Sequence, residues 1–283
     1  PLYDSFIHAF STAGTGGFGI KNDSIAGYST YCQVIITIFM ILFGINFNAY
    51  FLILIRKFRQ AWESEEVRAY LLIIAAATLA ITFNVRGYFS SFAQAFQQTI
   101  FQVASIITTT GYATTNFDLW PEFSRTILVL LMFVGACAGS TGGGIKVSRI
   151  LILLKTVKKE LIQLLHPRSV RRIQIDGKAI EHEVVRSTNV YMGVYIFIFA
   201  FSMLLIALNN FDLITNFSAV AATQQHRSRS FPGGSDRKLF HVFRLFQACP
   251  DLRHACRTPG AVPTAAVIRT EYLETILNRF QAK

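Results

Sequence analysis

An all-α integral membrane fold, repeating a unit of span, short helix, glycine-containing loop and span, is predicted by three observations. Apolar types make up 52% of the 283 residues and charged types only 15%, against about a quarter charged in soluble domains. Several stretches are long and apolar enough to cross a hydrocarbon core about 30 Å thick, which takes roughly 20 helical residues. Between them lie shorter apolar pieces that end in Gly- and Thr-rich chain. Twenty-six Phe and a mean hydropathy of +0.41 point the same way and exclude a water-soluble globule or a disordered chain. The four Cys, at 32, 137, 249 and 256, form no CxxC pair, so no disulfide framework and no zinc site is expected. The chain opens on Pro1 with no visible signal peptide, which reads as the absence of the natural start.

The elements follow in order. Residues 31–55 (YCQVIITIFMILFGINFNAYFLILI) predict a first span and 69–85 a second. Residues 125–138 with 145–154 predict a third, interrupted by Gly and Ser, and 189–208 a fourth. Arg56, Lys57 and Arg59 follow the first span; Lys146, Arg149, Lys155, Lys158, Lys159, Arg168, Arg171 and Arg172 follow the third. Inner loops are enriched in Lys and Arg, so both basic segments are assigned to the cytoplasm, and 11–28 and 108–123 fall outside. The four spans then alternate without conflict. Residues 2–10, 97–107 and 211–222 are too short to cross and read as re-entrant helices. The first two return through STAGTGGFG and TTTGYATTNF. Irregular backbone at membrane depth is tolerated only where it is buried in protein or lines a watery cavity. The repeated order is therefore that of a pore-forming unit.

A potassium filter replaces the ion's water with carbonyl oxygens, and Gly permits the backbone angles that turn successive carbonyls inward. Thr109, Thr110, Gly111 and Tyr112 have this make-up, as do Thr15, Gly16, Gly17 and Phe18, each set on the outer side after a short apolar helix. These segments, STAGTGGFGIKNDS and ASIITTTGYATTNFDLWP, together with GACAGSTGGGIKVSRILILLK, resemble the Trk/Ktr/HKT superfamily of cation transporters, and within it the TrkH type of bacterial potassium-uptake subunit. The resemblance covers 1–223. It implies a potassium-channel-like pore of four non-identical repeats, with 1–60 the latter part of the second, 61–165 the third, and 166–223 a cytoplasmic loop and the opening of the fourth. It implies Gly17 and Gly111 as the filter glycines, and potassium held at Gly16, Gly17, Thr110 and Gly111. It also implies a homodimer with a cytosolic nucleotide-binding regulatory subunit that docks where the hairpin around Asp176-Gly177 lies.

Gly139, Ser140, Thr141, Gly142, Gly143 and Gly144, followed by Lys146 and Ser148, look like a phosphate loop, but Ile145 intervenes before Lys146 and a membrane helix precedes the run instead of a strand. The resemblance makes this stretch a flexible intramembrane gate beneath the filter; the alternative is a simple helix kink, since Gly interrupts helices anyway. Six small residues can move without clearing bulky side chains. Asp23, Asp118 and Glu122 sit near the outer mouth, where carboxylates concentrate cations or simply form a solvated rim. His8, His166 and His182 are isolated, and no metal site or catalytic constellation is expected. The basic run from Lys146 to Arg172 follows a span directly and reads as a topology signal with lipid-headgroup contact, so nucleic acid is not expected as a partner.

The tail departs from all of this. Residues 1–223 carry 17 basic and 12 acidic side chains, and residues 224–283 carry 10 and 4 with no apolar run of about 20. Codons exist for 224–277 whose reading one base later yields NNIGPG, then an apolar helix and a stop, an ending similar to the family's fourth filter and last helix. A frameshift near codon 224 is therefore expected, with 224–283 translated out of frame. As written, the fragment is expected not to conduct alone. The expected function of the intact parent is potassium uptake across the bacterial inner membrane without covalent chemistry or cofactor; channel-like and proton- or sodium-coupled transport stay open. The alternative is a membrane-embedded enzyme or receptor whose Gly-rich loops bind a phosphate or lipid ligand.

Overall fold

The computed structural model describes residues 2–21, 23–166, 172–208 and 213–224. Helix α1 (Leu2–Ala13) is followed by α2 (Thr30–Phe43), α3 (Phe47–Leu54) and α4 (Phe58–Glu63). Next come α5 (Glu65–Val85), α6 (Phe92–Ile107), α7 (Glu122–Phe133) and α8 (Val147–Leu165). A two-stranded antiparallel hairpin, β1 (Gln174–Ile175) and β2 (Lys178–Ala179), precedes α9 (His182–Ala207) and α10 (Leu213–Gln224). The short helices expected at 2–10, 97–107 and 211–222 are α1, α6 and α10. Of the expected tail, 224–283, all but Gln224 lies outside the described residues, as do Arg168 and Arg171.

Among the described residues, two helices are long and apolar enough to cross a membrane. One is α5 with its 3-10 extension to Tyr88, 24 residues, and the other is α9, 26 residues, beginning well before the expected 189. The core belongs to the α5–α7 unit. Tyr70, Ile74, Ala77, Ile81 and Val85 recur every three or four residues on one face of α5 and pack with Val103, Ile107, Trp120, Leu128 and Leu131. Phe133 of α7, Phe199 of α9 and Phe217 of α10 form a three-ring cluster with centroids 5.3–5.8 Å apart. The rest of α9 turns Val190, Phe197, Phe201 and Leu204 outward, as a lipid-facing surface would.

The first expected span is corrected. Residues 31–55 do not form one straight crossing; they form α2 and α3, set at 91°. The hydroxyl of Tyr70 donates to the Ile41 carbonyl at 3.2 Å and occupies the place where a Cβ on residue 44 would stand, so only Gly44 fits the break. Asn46 then restarts the helix, its Oδ1 accepting the Asn48 N–H at 2.8 Å. Composition averaged over the window hides such a break, although Gly44 followed by the capping residue Asn46 marks it locally. The interruption in the third span appears as 134–146, between α7 and α8.

Hydrogen bonds close the unit at each end. Ile25 N–H donates to the Ala113 carbonyl at 3.1 Å and Ala113 N–H to Ser24 Oγ at 3.2 Å, which joins the two loops read as external. At the other end Glu65 N–H donates to Asp176 Oδ1 at 2.6 Å, and Lys155 bonds both the Glu65 carboxylate and the Gln174 carbonyl.

Candidate functional site: two matched loops over an intramembrane turn

The chain leaves α1 and α6 by the same route, 94 residues apart. Thr15 N–H donates to the Thr12 carbonyl at 3.1 Å, and Thr109 N–H to that of Ile106 at 3.0 Å. One residue on, Gly16 N–H reaches the Ser11 carbonyl at 2.5 Å and Thr110 N–H that of Ser105 at 2.9 Å. This pair of bonds is the Schellman ending, which calls for a left-handed residue, usually Gly. Thr fills it in both loops, Thr15 at φ 46° and Thr109 at φ 58°. A β-branched residue there is strained by about 1–2 kcal/mol. Two residues later Gly17 (φ 61°) and Gly111 (φ 76°) are left-handed again. In an extended chain successive carbonyls point to opposite sides. Left-handed residues at alternate positions bring consecutive peptide units onto one side, the arrangement a dehydrated cation needs.

Side chains hold both loops. Ser11 Oγ accepts the Phe18 N–H at 2.6 Å, and Ser105 Oγ, at the matching position, donates to the Tyr112 carbonyl at 2.6 Å. Thr110 Oγ1 lies 2.8 Å from Thr108 Oγ1, which itself donates to the Ala104 carbonyl. The loops also touch each other: the Tyr112 hydroxyl donates to the Phe18 carbonyl at 3.0 Å. His8 packs between the rings of Tyr28 and Tyr112, with centroids at 5.0 and 5.9 Å. Thr15, Thr109, Thr110 and Tyr112 are buried, whereas the Phe18 ring is exposed although it aligns with Tyr112.

The stretch 139–144 bonds to both matched threonines. Thr15 Oγ1 donates to the Thr141 carbonyl at 2.9 Å, and Gly143 N–H donates to Thr109 Oγ1 at 2.7 Å. The hydroxyls of the two strained residues thus meet the same six-residue loop. Its stems pair in parallel, Gly135 N–H to the Ile145 carbonyl at 2.8 Å and Val147 N–H to that of Ala136 at 3.2 Å. Ser140 Oγ donates to the Cys137 carbonyl at 2.6 Å, and Lys146 folds back onto the carbonyl of Gly142. Buried Glu66, at the start of α5, takes the Ala138 N–H at 2.6 Å and the Ser148 N–H at 3.1 Å on one carboxylate oxygen.

The eight loop residues and six turn residues singled out in the sequence are therefore brought together. Of the outer acids, Glu122 is taken by Arg125 at 2.8 Å on the surface, as a solvated rim would be. Glu66 and the serines escaped the sequence reading. An acid in the first turn of a helix reads only as dipole compensation. Ser11 and Ser105 were findable, since a 94-residue register superposes them as it does the glycines.

Fold and site together define an all-helical, multi-pass membrane protein in which two matched backbone loops meet one Gly-rich turn. Residues 1–227 match the family described as TrkH, cation transport protein, and the chain belongs to that family. It is 34% identical over 230 residues to the Trk system potassium uptake protein TrkH of Salmonella typhimurium, covering 79% of this chain and 47% of that protein. With the TrkH of Vibrio parahaemolyticus it shares 36% over 228 residues, 78% and 47% of the two chains. With the TrkG of Escherichia coli it shares 31% over 253 residues, 88% and 52%. The crystal structure of the potassium transporter TrkH from Vibrio parahaemolyticus aligns at a TM-score of 0.75 and 33% identity, over 80% of this chain and 50% of that one. The chain thus spans about half the length of the relatives it matches.

Proposed function

We propose that this chain is the central part of a potassium-uptake protein of the bacterial inner membrane. Potassium ions pass the backbone of Thr15, Gly16, Gly17 and Phe18 and of Thr109, Thr110, Gly111 and Tyr112, with 139–144 as the gate. The observation that carries this reading is the repetition, 94 residues apart, of a left-handed Thr and a left-handed Gly after matched helix ends. Relatives named as potassium uptake proteins support the same ion. The role is transport, with no covalent step. A phosphate- or lipid-binding reading of the Gly-rich loop is not favoured: Gly143 N–H is already spent on Thr109 and the Lys146 ammonium on the Gly142 carbonyl.

Residues 1–60, 61–165 and 166–223 are the pore's second repeat in part, its third, and the opening of its fourth. The protein works as a homodimer with a cytosolic nucleotide-binding regulatory subunit at the 174–179 hairpin. Residues 224–283 are read out of frame. The family match ends at 227, close to where the composition changes, which supports that account, although the TrkG alignment over 88% of the chain runs past that point. Sequencing the encoding DNA across codons 215–285 tests it: a gained or lost base near 224 is expected, and a verified unbroken frame overturns it.

The transport reading is tested by rubidium-86 uptake into potassium-requiring cells carrying a frame-restored, full-length version. Gly111→Val, which places a β-branched side chain at φ 76°, is expected to abolish uptake at normal membrane abundance. Unchanged uptake in that variant refutes the pore.

A further inference from the structure

Glu66 and Glu65 are consecutive, yet they face two different parts of the protein. Glu66 is 7% exposed, and none of the ion pairs among the described residues includes it. What holds its carboxylate is backbone: the amide of Ala138, just before the gate residues, and that of Ser148, just after them. Ser148 lies in the first turn of α8, whose capping position, Lys146, supplies no side-chain bond, so Glu66 serves as the cap from another helix. Both stems of the turn are thus pinned on one oxygen.

Glu65, one residue earlier, belongs to the cytoplasmic hairpin. Its N–H is capped by Asp176, the turn residue between β1 and β2, and its carboxylate is paired with Lys155, which also holds the Gln174 carbonyl. From this juxtaposition we infer that the first turn of α5 is a joint: displacement of the hairpin moves Glu65, Glu66 moves with it, and the intramembrane turn is released at both stems. Adjacent residues in one helical turn cannot be displaced independently. The clamp is also sensitive to small motion. Bonds of 2.6 and 3.1 Å lose their hydrogen-bonding character beyond about 3.5 Å, so a shift on the order of 1 Å breaks both. The two states are therefore discrete, with the stems pinned or free. Glu66 acts through the turn's backbone and touches no ion, so it is a positioning residue.

This inference rests on the gate reading of 139–144, but its test reads the turn without ion flux. Cys137, fully buried and adjacent to Ala138, is a natural reporter. In a frame-restored, full-length protein whose only cysteine is Cys137, its modification rate by a maleimide is followed in membranes. Glu66→Gln weakens a charge-assisted pair of bonds and is expected to raise the rate at least about tenfold. Glu66→Asp is expected to lie between it and the parent. Asp176→Ala, on the exposed hairpin and away from Cys137, is expected to raise the rate as well, with an unchanged gel-filtration profile. Fast labelling in Glu66→Gln with parental labelling in Asp176→Ala overturns the joint. Parental labelling in both overturns the clamp. Should labelling respond as expected while the parent passes no rubidium, the transport reading falls and the joint stands.

Discussion

Removing one oxygen atom from Tyr112 isolates the contact between the two loops. Tyr112→Phe keeps a ring that is 1% exposed and packed against His8, so the cavity and aromatic contacts are preserved. What disappears is the 3.0 Å bond from its hydroxyl to the carbonyl of Phe18, the residue after Gly17. A neutral hydrogen bond contributes a net of about 0.5–1.5 kcal/mol, and the Phe18 carbonyl becomes freer to rotate by that amount. At about 1.4 kcal/mol per tenfold, the fraction of loops with this carbonyl displaced rises roughly two- to tenfold. If a filter discriminates potassium from sodium by the placing of its carbonyls, sodium should compete with rubidium-86 uptake at a concentration lower by a similar factor. The assay is sodium inhibition of rubidium uptake in the frame-restored, full-length protein, at matched membrane abundance. An identical sodium inhibition curve for Tyr112 and Phe would refute the idea that the cross-loop bond sets carbonyl position.

Thr109→Val retains the shape of the side chain but leaves the Gly143 N–H without its acceptor, at a cost of about 1–3 kcal/mol. The midpoint of a thermal scan of the detergent-solubilised protein should fall, and Thr109→Ser should restore it. Asn46→Ala removes the cap that restarts the helix after the bend and should destabilise the protein by about 0.5–2 kcal/mol in the same scan, while Asn46→Asp keeps the accepting oxygen and should not.

The parts of the fold that were legible in the sequence are those set by composition over a window. The long α5 and α9 announce themselves because lipid requires an unbroken apolar run, and α1, α6 and α10 because they are apolar but too short. The loops stood out by repetition: one Thr-Gly run is usually an ordinary loop, but two of them follow short apolar helices. The 91° bend between α2 and α3 was less legible, because its angle depends on a partner: the Tyr70 hydroxyl arrives from another helix, and Gly44 with the capping Asn46 marks only that the helix stops and restarts. Glu66 was hidden for the same reason. Its partners are backbone amides more than 70 residues away, and an amide carries no residue-type signature. The Thr choice at positions 15 and 109 lies between these cases. Sequence shows the residue, but only the structure shows that it sits where Gly would be easier, and that its hydroxyl is spent on the turn below.

The broken helices brace one another. Where α2 stops, the Gly44 carbonyl is left over, and it is taken by the Cys137 N–H at 3.0 Å; where α3 starts, the Phe47 N–H is taken by the Gly139 carbonyl at 3.1 Å. Each break supplies a partner that the other lacks. A substitution that healed one of them into a continuous helix would strand polar groups in the other. Drift at 43–47 and at 137–139 is therefore tied, and relatives should have kept both interruptions or lost both together.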